Sequence, residues 1–274
     1  MQPPPAAVVR AFGVAPSIEP QLLTGGQGRA WRCADVVLKP VDCVAEAEWV
    51  CEVLTVWPRD RAVRVPCPVR AVDGSWVHRG WSAHRWLEGT DVSMPSGAGL
   101  VRTASEAFHA VTADLARPGF LDTRSDPWSC GDRVAWEDAE PQGSEPTRRL
   151  VAEARRAYEP VRSPSQVIHG DIAGNVLAAP RLPPGVIDWP PYFRPAAFAL
   201  AVAAVDALCW SGAPARLLDD WADLPEWRQL LLRAFVYRTA TWGRFEAVGG
   251  RGMSGAEYPG RCRLCLAAVL SRDS

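Results

Sequence analysis

His169-Gly170-Asp171-Ile172-Ala173-Gly174-Asn175, followed further on by Val186-Ile187-Asp188-Trp189, is the stretch that decides how this chain is read. It sets two carboxylates and an amide on turns that flank short apolar strands, with Val167-Ile168 before, Val176-Leu177 between and Val186-Ile187 after. Phosphoryl transfer from a nucleotide needs that inventory: a carboxylate to take the hydroxyl proton, and an amide with a second carboxylate to hold Mg²⁺. Mg²⁺ takes oxygen ligands, keeps several waters, and uses one or two carboxylates beside the phosphates. Asp171 is therefore expected to be the base, and Asn175 and Asp188 the metal ligands. Turns favour Asp and Asn for their own reasons, but a solvated hairpin does not explain why all three groups gather around one hairpin.

The segment resembles the HGD…N and IDW motifs of the aminoglycoside phosphotransferase and choline kinase families, which share the protein-kinase-like fold. That pattern has four residues between the Asp and the Asn, and this chain has three. The interval from Asp171 to Asp188 is short to match, and the shortening bears on Asn175 more than on the two aspartates. The resemblance implies an α+β, two-lobed protein-kinase-like fold, with a small antiparallel β-sheet N-lobe and a larger, mainly helical C-lobe. Residues 1–87 would form the nucleotide-binding lobe, with a hinge at about 84–89, and 88–274 the catalytic and acceptor-binding lobe.

Of the 30 Lys plus Arg residues, one alone is a lysine, Lys39 in Val36-Val37-Leu38-Lys39-Pro40. A chain that writes nearly every cation as arginine points to a GC-rich coding source, and a lone lysine suggests a place where a guanidinium does not serve. An ammonium is a compact point charge on a slim stem, suited to phosphate oxygens in a narrow cleft. The other reading is an incidental surface lysine at a strand end. By resemblance, the lysine at this strand contacts the nucleotide phosphates and pairs with a Glu on the next helix. That helix is visible from Val44 to Leu54, with Glu46 as the first choice of partner and Glu48 as the second. Upstream, Leu22-Leu23-Thr24-Gly25-Gly26-Gln27-Gly28-Arg29-Ala30-Trp31 reads as strand, glycine turn, strand. Glycines let backbone amides approach phosphates, so Gly25, Gly26, Gln27 and Gly28 are nucleotide-loop candidates, although such a turn equally marks an ordinary hairpin.

Further along, 18–40 reads as strands, 44–56 as a helix and 66–87 as strands again, with Asp73-Gly74 as a hairpin signal. Glu88-Gly89 ends the last of these. His84 to Leu87 would flank the hinge by resemblance, which makes His84 and Trp86 candidates near the nucleotide base, Trp86 as a stacking platform or as a core aromatic. Leu100, Ala104, Ala107, Phe108, Val111 and Leu115 then share one face at helical spacing, and His109 reads as a packing or hydrogen-bonding histidine. Residues 123–145 read as a long irregular connection, Ser144-Glu145-Pro146 as a helix start, and 196–210 and 226–242 as further helices. Ala179 to Pro184 would be the hairpin tip.

A chain of 274 residues, 48% of them hydrophobic, buries a sizeable core. Its net charge of −1 gives no reason to expect nucleic acid or an anionic membrane as partner. No apolar run approaches the roughly 18 residues of a spanning helix, and Met1-Gln2-Pro3-Pro4-Pro5 lacks the build of a signal peptide. The eight cysteines show no secreted-domain spacing, so a cytoplasmic protein with reduced thiols is expected. Cys262-Arg263-Leu264-Cys265 lacks a second pair or a His cluster to complete a zinc site and reads as a C-terminal helix with two packed thiols.

The function expected is an O-phosphotransferase that uses ATP or GTP with Mg²⁺ and acts on a hydroxyl of a small molecule. Residues 190–274 carry ten Arg and no Lys against five Asp and three Glu, a poor match for a polycationic acceptor. The same segment offers Tyr192, Phe193, Trp210, Tyr237 and Trp242, suited to a ring-bearing ligand or simply to a core. Tyr192, Arg194, Asp206 and Trp210 are the acceptor-site candidates. A neutral or anionic compound, such as a nucleoside-type or other sugar-bearing antibiotic or metabolite, comes first and an aminoglycoside second. Two further classes stay open, a catalytically silent kinase-like nucleotide-binding module and a protein kinase. Against the latter, Asp188 is followed by Trp-Pro-Pro-Tyr-Phe-Arg-Pro, with no activation segment.

Overall fold

The computed structural model describes residues 2–24, 28–58, 62–249 and 258–272. The chain divides into two compact units, Met1–Val92 with Gly174–Pro191, and Ser93–Ala173 with Tyr192–Ser274. The α+β class expected from the sequence is what it has, a small antiparallel sheet followed by a mainly helical part.

The first unit starts with a short helix that the sequence reading did not anticipate, α1 (Ala6–Ala11). The strands β1 (Gln21–Leu22), β2 (Trp31–Cys33), β3 (Val36–Pro40), β4 (Pro68–Val69), β5 (Val77–His78) and β6 (Trp81–Arg85) form an antiparallel sheet in the order β1-β2-β3-β6-β4, with β5 also on β6. Helix α2 (Val44–Thr55) lies between β3 and β4 in sequence. Period-two alternation decides which residues of β3 go inward. Val36 and Leu38 are buried among Val8, Val9, Phe12, Cys33 and Ala83. Val37 and Lys39 share the opposite face with their register partners His84 and Ser82.

Glu88-Gly89 was expected to end the last strand, and β6 does stop before it, at Arg85, but no loosening of the chain follows directly. Instead β7 (Thr90–Asp91) follows at once and pairs with β9 (Val176–Ala178), which also pairs with β10 (Gly185–Val186). Gly89 makes this possible. Its φ of +153° is a conformation side-chain-bearing residues rarely adopt, and a Cβ there would sit 2.8 Å from Leu177 Cβ and 3.0 Å from the Ala178 carbonyl.

In the second unit come α3 (Ala98–Thr112), a 3₁₀ turn at Gly119–Asp122, α4 (Pro127–Ala135), α5 (Glu145–Arg155), β8 (Ser165–His169), β11 (Pro191–Pro195) paired with β8, α6 (Ala197–Trp210), α7 (Leu217–Asp220), α8 (Trp227–Ala247) and α9 (Tyr258–Leu270). Two expectations are corrected here. The stretch 123–145 is not irregular throughout, because it holds α4. Asp126 caps that helix by accepting the Ser129 N–H at 2.9 Å, and Pro127 fills the first turn. The buried face of α3 is also displaced from the one read off its apolar residues. It consists of Val101, Ala104, Ser105, Phe108, His109 and Thr112, so only Ala104 and Phe108 belong to both sets. Hydrogen bonds bring the polar members inward: Thr112 Oγ1 donates to the Val167 carbonyl at 2.7 Å, and His169 N–H donates to His109 Nε2 at 3.0 Å. Helices α6 and α8 are buried along most of their length. Cys262 and Cys265 lie buried in α9, as expected of packed thiols. Among the described residues, no helix is long and apolar enough to cross a membrane.

Gly89→Ala is expected to destabilise the protein by about 1–3 kcal/mol, the scale of a strained backbone conformation or an overpacked contact. Urea unfolding followed by circular dichroism measures this, and an unchanged midpoint would show that the close approach of Gly89 to β9 does not matter.

Candidate active site

Strand β8 delivers Asp171. Its last residue, His169, is fully buried, and its backbone is tied to α3 through His109. The tautomer of His109 follows from its partners. Nε2 accepts the His169 N–H, so the ring proton is on Nδ1, which lies 3.2 Å from Ser105 Oγ and donates to it. Burial, and then the neighbouring His169, push the His109 pKa down to about 3, so the ring is neutral at pH 7. Beyond the strand, the Asp171 N–H donates to His169 Nδ1 at 3.2 Å. Gly170 between them faces the ring of Tyr192, which occupies the space a Cβ would need. The loop that carries Asp171 thus turns on a residue without a side chain, over a buried aromatic wall.

The Asp171 carboxylate is half-exposed and meets α8. Arg238 Nη2 lies 2.6 Å from Asp171 Oδ1, and the same guanidinium grips Asp206 of α6, with Nε at 2.9 and 3.1 Å from its two oxygens and Nη2 at 2.5 Å. Burial pushes the Asp206 carboxyl up against the opposing pull of Arg238. Arg238 is held far above its ordinary value by Asp206 and Asp171, which outweigh its own burial. Asp206 also accepts a hydrogen bond from Trp210. Asp206 and Trp210 were expected at the acceptor site. Arg238 was not singled out, and its only signal in the sequence is an arginine in the run Leu230-Leu231-Leu232-Arg233-Ala234-Phe235-Val236-Tyr237-Arg238.

The other two acceptor candidates have internal partners. Tyr192 is buried at 5% exposure, and its hydroxyl meets Arg124 Nη2 at 3.2 Å and the Tyr237 hydroxyl at 3.3 Å. Arg194 pairs in a fork with Asp132 at 3.0 and 2.6 Å and lies over Trp136. Tyr192 and Tyr237 thus take the core role, while Phe193, Trp210 and Trp242 are half-buried.

In the first unit, β9 and β10 form the hairpin expected between Asn175 and Asp188. Val186 pairs with Val176, and the Ile187 N–H donates to the Asn175 carbonyl at 3.0 Å. Asn175 and Asp188 therefore stand at the root of one hairpin despite the shortened loop. Asp188 has φ +52°, a left-handed conformation that Asp and Asn tolerate better than most residues. Trp189 packs on Trp49 of α2, with ring centroids 5.3 Å apart. Lys39 reaches the same point from β3, with Nζ 2.5 Å from Asp188 Oδ1. Glu46 lies in the first turn of α2 and is half-buried, whereas Glu48 is exposed.

His84 sits on the Lys39 face of the sheet, with Nε2 3.8 Å from Cys51 Sγ. Burial first, then the Lys39 charge, push its pKa down to about 4, with Asp188 opposing. Trp86 lies beyond the end of β6. Its N–H donates to the Asp35 carbonyl at 2.7 Å, and the Arg32 guanidinium covers its ring at 4.1 Å. Gly28 has φ +62° with open space around it, while Gly25, Gly26 and Gln27 lie outside the described residues. Among the described residues, no group of three or more His, Cys, Asp or Glu side chains could hold a metal. A cation held by one carboxylate, one amide and ligand oxygens needs no such group.

No protein-family model matches this sequence, and no curated protein matches it. Among solved structures, it is similar to choline kinase LicA from Streptococcus pneumoniae, at 11% identity, a TM-score of 0.63 and 97% coverage of both chains. It is also similar to a thermostable mutant of aminoglycoside phosphotransferase APH(4)-Ia, at 14% identity and a TM-score of 0.56, covering 97% of this chain and 99% of that one. A third similar structure is spectinomycin phosphotransferase APH(9)-Ia in complex with ADP and spectinomycin, at 11% identity and a TM-score of 0.56, covering 97% of this chain and 96% of the other. At such identities the likeness is one of fold: the chain has the fold shared by the choline kinase and aminoglycoside phosphotransferase structures.

The buried neutral His109 carries a pH consequence. Its folded pKa of about 3 lies below the ordinary 6.5, so between those values the unfolded chain binds the proton and the folded one does not. Its contribution to stability is complete above about pH 6.5 and is lost as pH falls towards 3, at up to about 1.4 kcal/mol per pH unit. His109→Gln keeps an acceptor for the His169 N–H without a titrating ring. Its stability is expected to fall less steeply from pH 6.5 to 4 than that of the wild type. Parallel stability curves from urea titrations across that range would refute the neutral-histidine account.

Proposed function

We propose that this protein is a nucleoside-triphosphate-dependent O-phosphotransferase that acts on a hydroxyl group of a small molecule. The observation that carries the reading is the root of the β9–β10 hairpin. There, Asn175 and Asp188 stand together and Lys39 reaches Asp188. An amide, a carboxylate and a compact ammonium within one unit form a set suited to a metal–triphosphate complex. The structures of similar fold support it, being those of a choline kinase, an aminoglycoside phosphotransferase and a spectinomycin phosphotransferase, the last with ADP bound.

In this reading Asn175 and Asp188 hold Mg²⁺, which when bound neutralises charge on the phosphate oxygens. Lys39 turns from Asp188 to the phosphates of ATP or GTP, and Glu46, less exposed than Glu48, is its partner. Gly25 to Gly28 line the phosphates, and His84 and Trp86 belong to the nucleotide side. Asp171 accepts the proton of the acceptor hydroxyl and orients its oxygen for in-line attack. For the acceptor we favour a neutral or anionic hydroxyl compound, of nucleoside or other sugar-bearing type. Asp206, which shares Arg238 with Asp171, is already paired with that guanidinium, which leaves little to attract a polycation. Residues 1–87 and 88–274 are taken as the nucleotide and acceptor parts, in a cytoplasmic protein without nucleic-acid or membrane partners.

The test is a screen of ATP and GTP turnover against small hydroxyl compounds, with polycationic aminoglycosides and protein substrates as comparison. Transfer to a protein and to no small molecule, or nucleotide binding without any turnover, would sink the proposal. Asp171→Ala is expected to lower transfer by roughly 10²–10⁴-fold while leaving nucleotide affinity intact, because the base does not hold the nucleotide. Retention of more than about a tenth of the activity would contradict the general-base assignment. Asp188→Asn should raise the magnesium concentration needed for half-maximal rate, and Asn175→Ala should do the same. If only the Asp188 variant responds, the second ligand is another residue.

A further inference from the structure

Helix α8 carries two arginines among its buried residues, Arg233 and Arg238, at 5% and 8% exposure. A guanidinium taken out of water is costly unless its charge and its fork of N–H groups are met. Arg233 meets the Glu159 carbonyl, Gln229, and the rings of Trp136 and Tyr158. Arg238 meets two carboxylates. Asp206, with a side chain 16% exposed, takes Nε and one hydrogen of Nη2. The other Nη2 hydrogen points to Asp171 Oδ1 at 2.6 Å.

The two carboxylates differ in a way that assigns their roles. Asp206 is on a rigid helix and is bound through both oxygens, so it fixes the plane of the guanidinium. Asp171 is on a turn, 45% exposed, and is bound through Oδ1. With Oδ1 fixed, the rotation of the Asp171 carboxylate about its side-chain bonds is fixed, and so is the position of Oδ2. We propose that Arg238, locked by Asp206, is a positioning residue that holds the carboxylate of Asp171 in the orientation in which it meets the acceptor hydroxyl. This rests on the phosphotransferase reading for the role of Asp171, and on the geometry of α6, α8 and the β8 turn for the hold itself. If the pair only compensated the burial of Arg238, its loss would change stability and leave the chemical step alone.

The test is a kinetic double-mutant cycle. Arg238→Gln is expected to lower kcat by about 100-fold, the scale of an ångström-sized misplacement, with the nucleotide KM within about threefold of wild type. Arg238→Lys keeps the charge and one donor direction and should recover about tenfold of that loss. In an Asp171→Ala background, Arg238→Gln should cost less than about threefold more, because the residue acts through Asp171. Equal losses in both backgrounds, or wild-type kcat in Arg238→Gln, would overturn the proposal. Should Arg238→Gln fail to fold, Asp206→Asn replaces it: a tenfold loss that vanishes without Asp171 supports the hold, and a loss that persists refutes it. A parallel cycle on urea stability between positions 171 and 238 needs no turnover. Absence of coupling in the unfolding constant overturns the proposal whatever the enzyme does. Wild-type protein that turns over no acceptor sinks the phosphotransferase reading alone.

Discussion

The backbone N–H of His169 donates to an imidazole nitrogen that has no proton, and nearly everything around Asp171 depends on that bond. A buried N–H without an acceptor costs about 1–3 kcal/mol, and here its acceptor is on α3 rather than on a neighbouring strand. The strand end is therefore fixed by a helix, and only a neutral His109 can do it. The next link repeats the arrangement one step on: His169 Nδ1 accepts the N–H of Asp171. Two imidazoles in series thus carry the path of the main chain from the helix to the carboxylate. Thr112 holds the Val167 carbonyl, two residues earlier in the strand, from the same helix, so the end of β8 is tied to α3 by polar groups that face inward.

Each unit sets a cation against aspartate, one carboxylate in the first and two in the second, with different partners suited to different ends. Lys39 meets Asp188 as a point charge, with 28% of the lysine and 50% of the aspartate side chain exposed. Such a pair contributes up to about 1 kcal/mol, so a competing anion or cation separates it at little cost. Arg238 meets Asp171 and Asp206 through a planar fork from a largely buried position. Removing Arg238 there leaves the largely buried Asp206 without its counter-charge, at a cost of about 3–5 kcal/mol. One pairing is exchangeable and the other is fixed.

What the sequence disclosed was mostly what local pattern encodes. The strands before Lys39, the helix after it, the helix starting near Ser144 and the hairpin between Asn175 and Asp188 are all visible as apolar runs, period or turn chemistry. The apolar helices after β11 were legible in the same way. Helix α4 was hidden because its segment is rich in Asp, Ser and Pro. Its Asp126-Pro127 start is a capping signal whose weight shows only once the helix is known to pack on α8. The inward face of α3 was misread because Ser105 and Thr112 look like solvent-facing residues until the donors and acceptors of β8 are in place, whereas His109 packs and hydrogen-bonds as its place after Phe108 suggested. Strand β7 is two residues long and exists only because β9 returns to it. Arg238 escaped notice for a like reason, since an arginine in a helix carries no sign of its partners, and both of its carboxylates come from distant parts of the chain.

The sheet unit is not continuous in sequence. Residues 174–191 belong with 1–92, and the whole of 93–173 lies between them. During synthesis from the N-terminus, residues 90 and 91 emerge well before β9, their pairing partner, and have no strand to join until that later hairpin leaves the ribosome. Closing so long a loop is entropically slow, which makes completion of the first unit a late event in folding. An open edge in a growing chain is also a place where other strands can add, and β7 limits that exposure by being only two residues long, one of them the charged Asp91. A nascent chain halted before residue 174 would thus present the sheet of the first unit without the hairpin that bears Asn175 and Asp188. The order in which the ribosome delivers the chain makes this hairpin the last part of that unit to arrive.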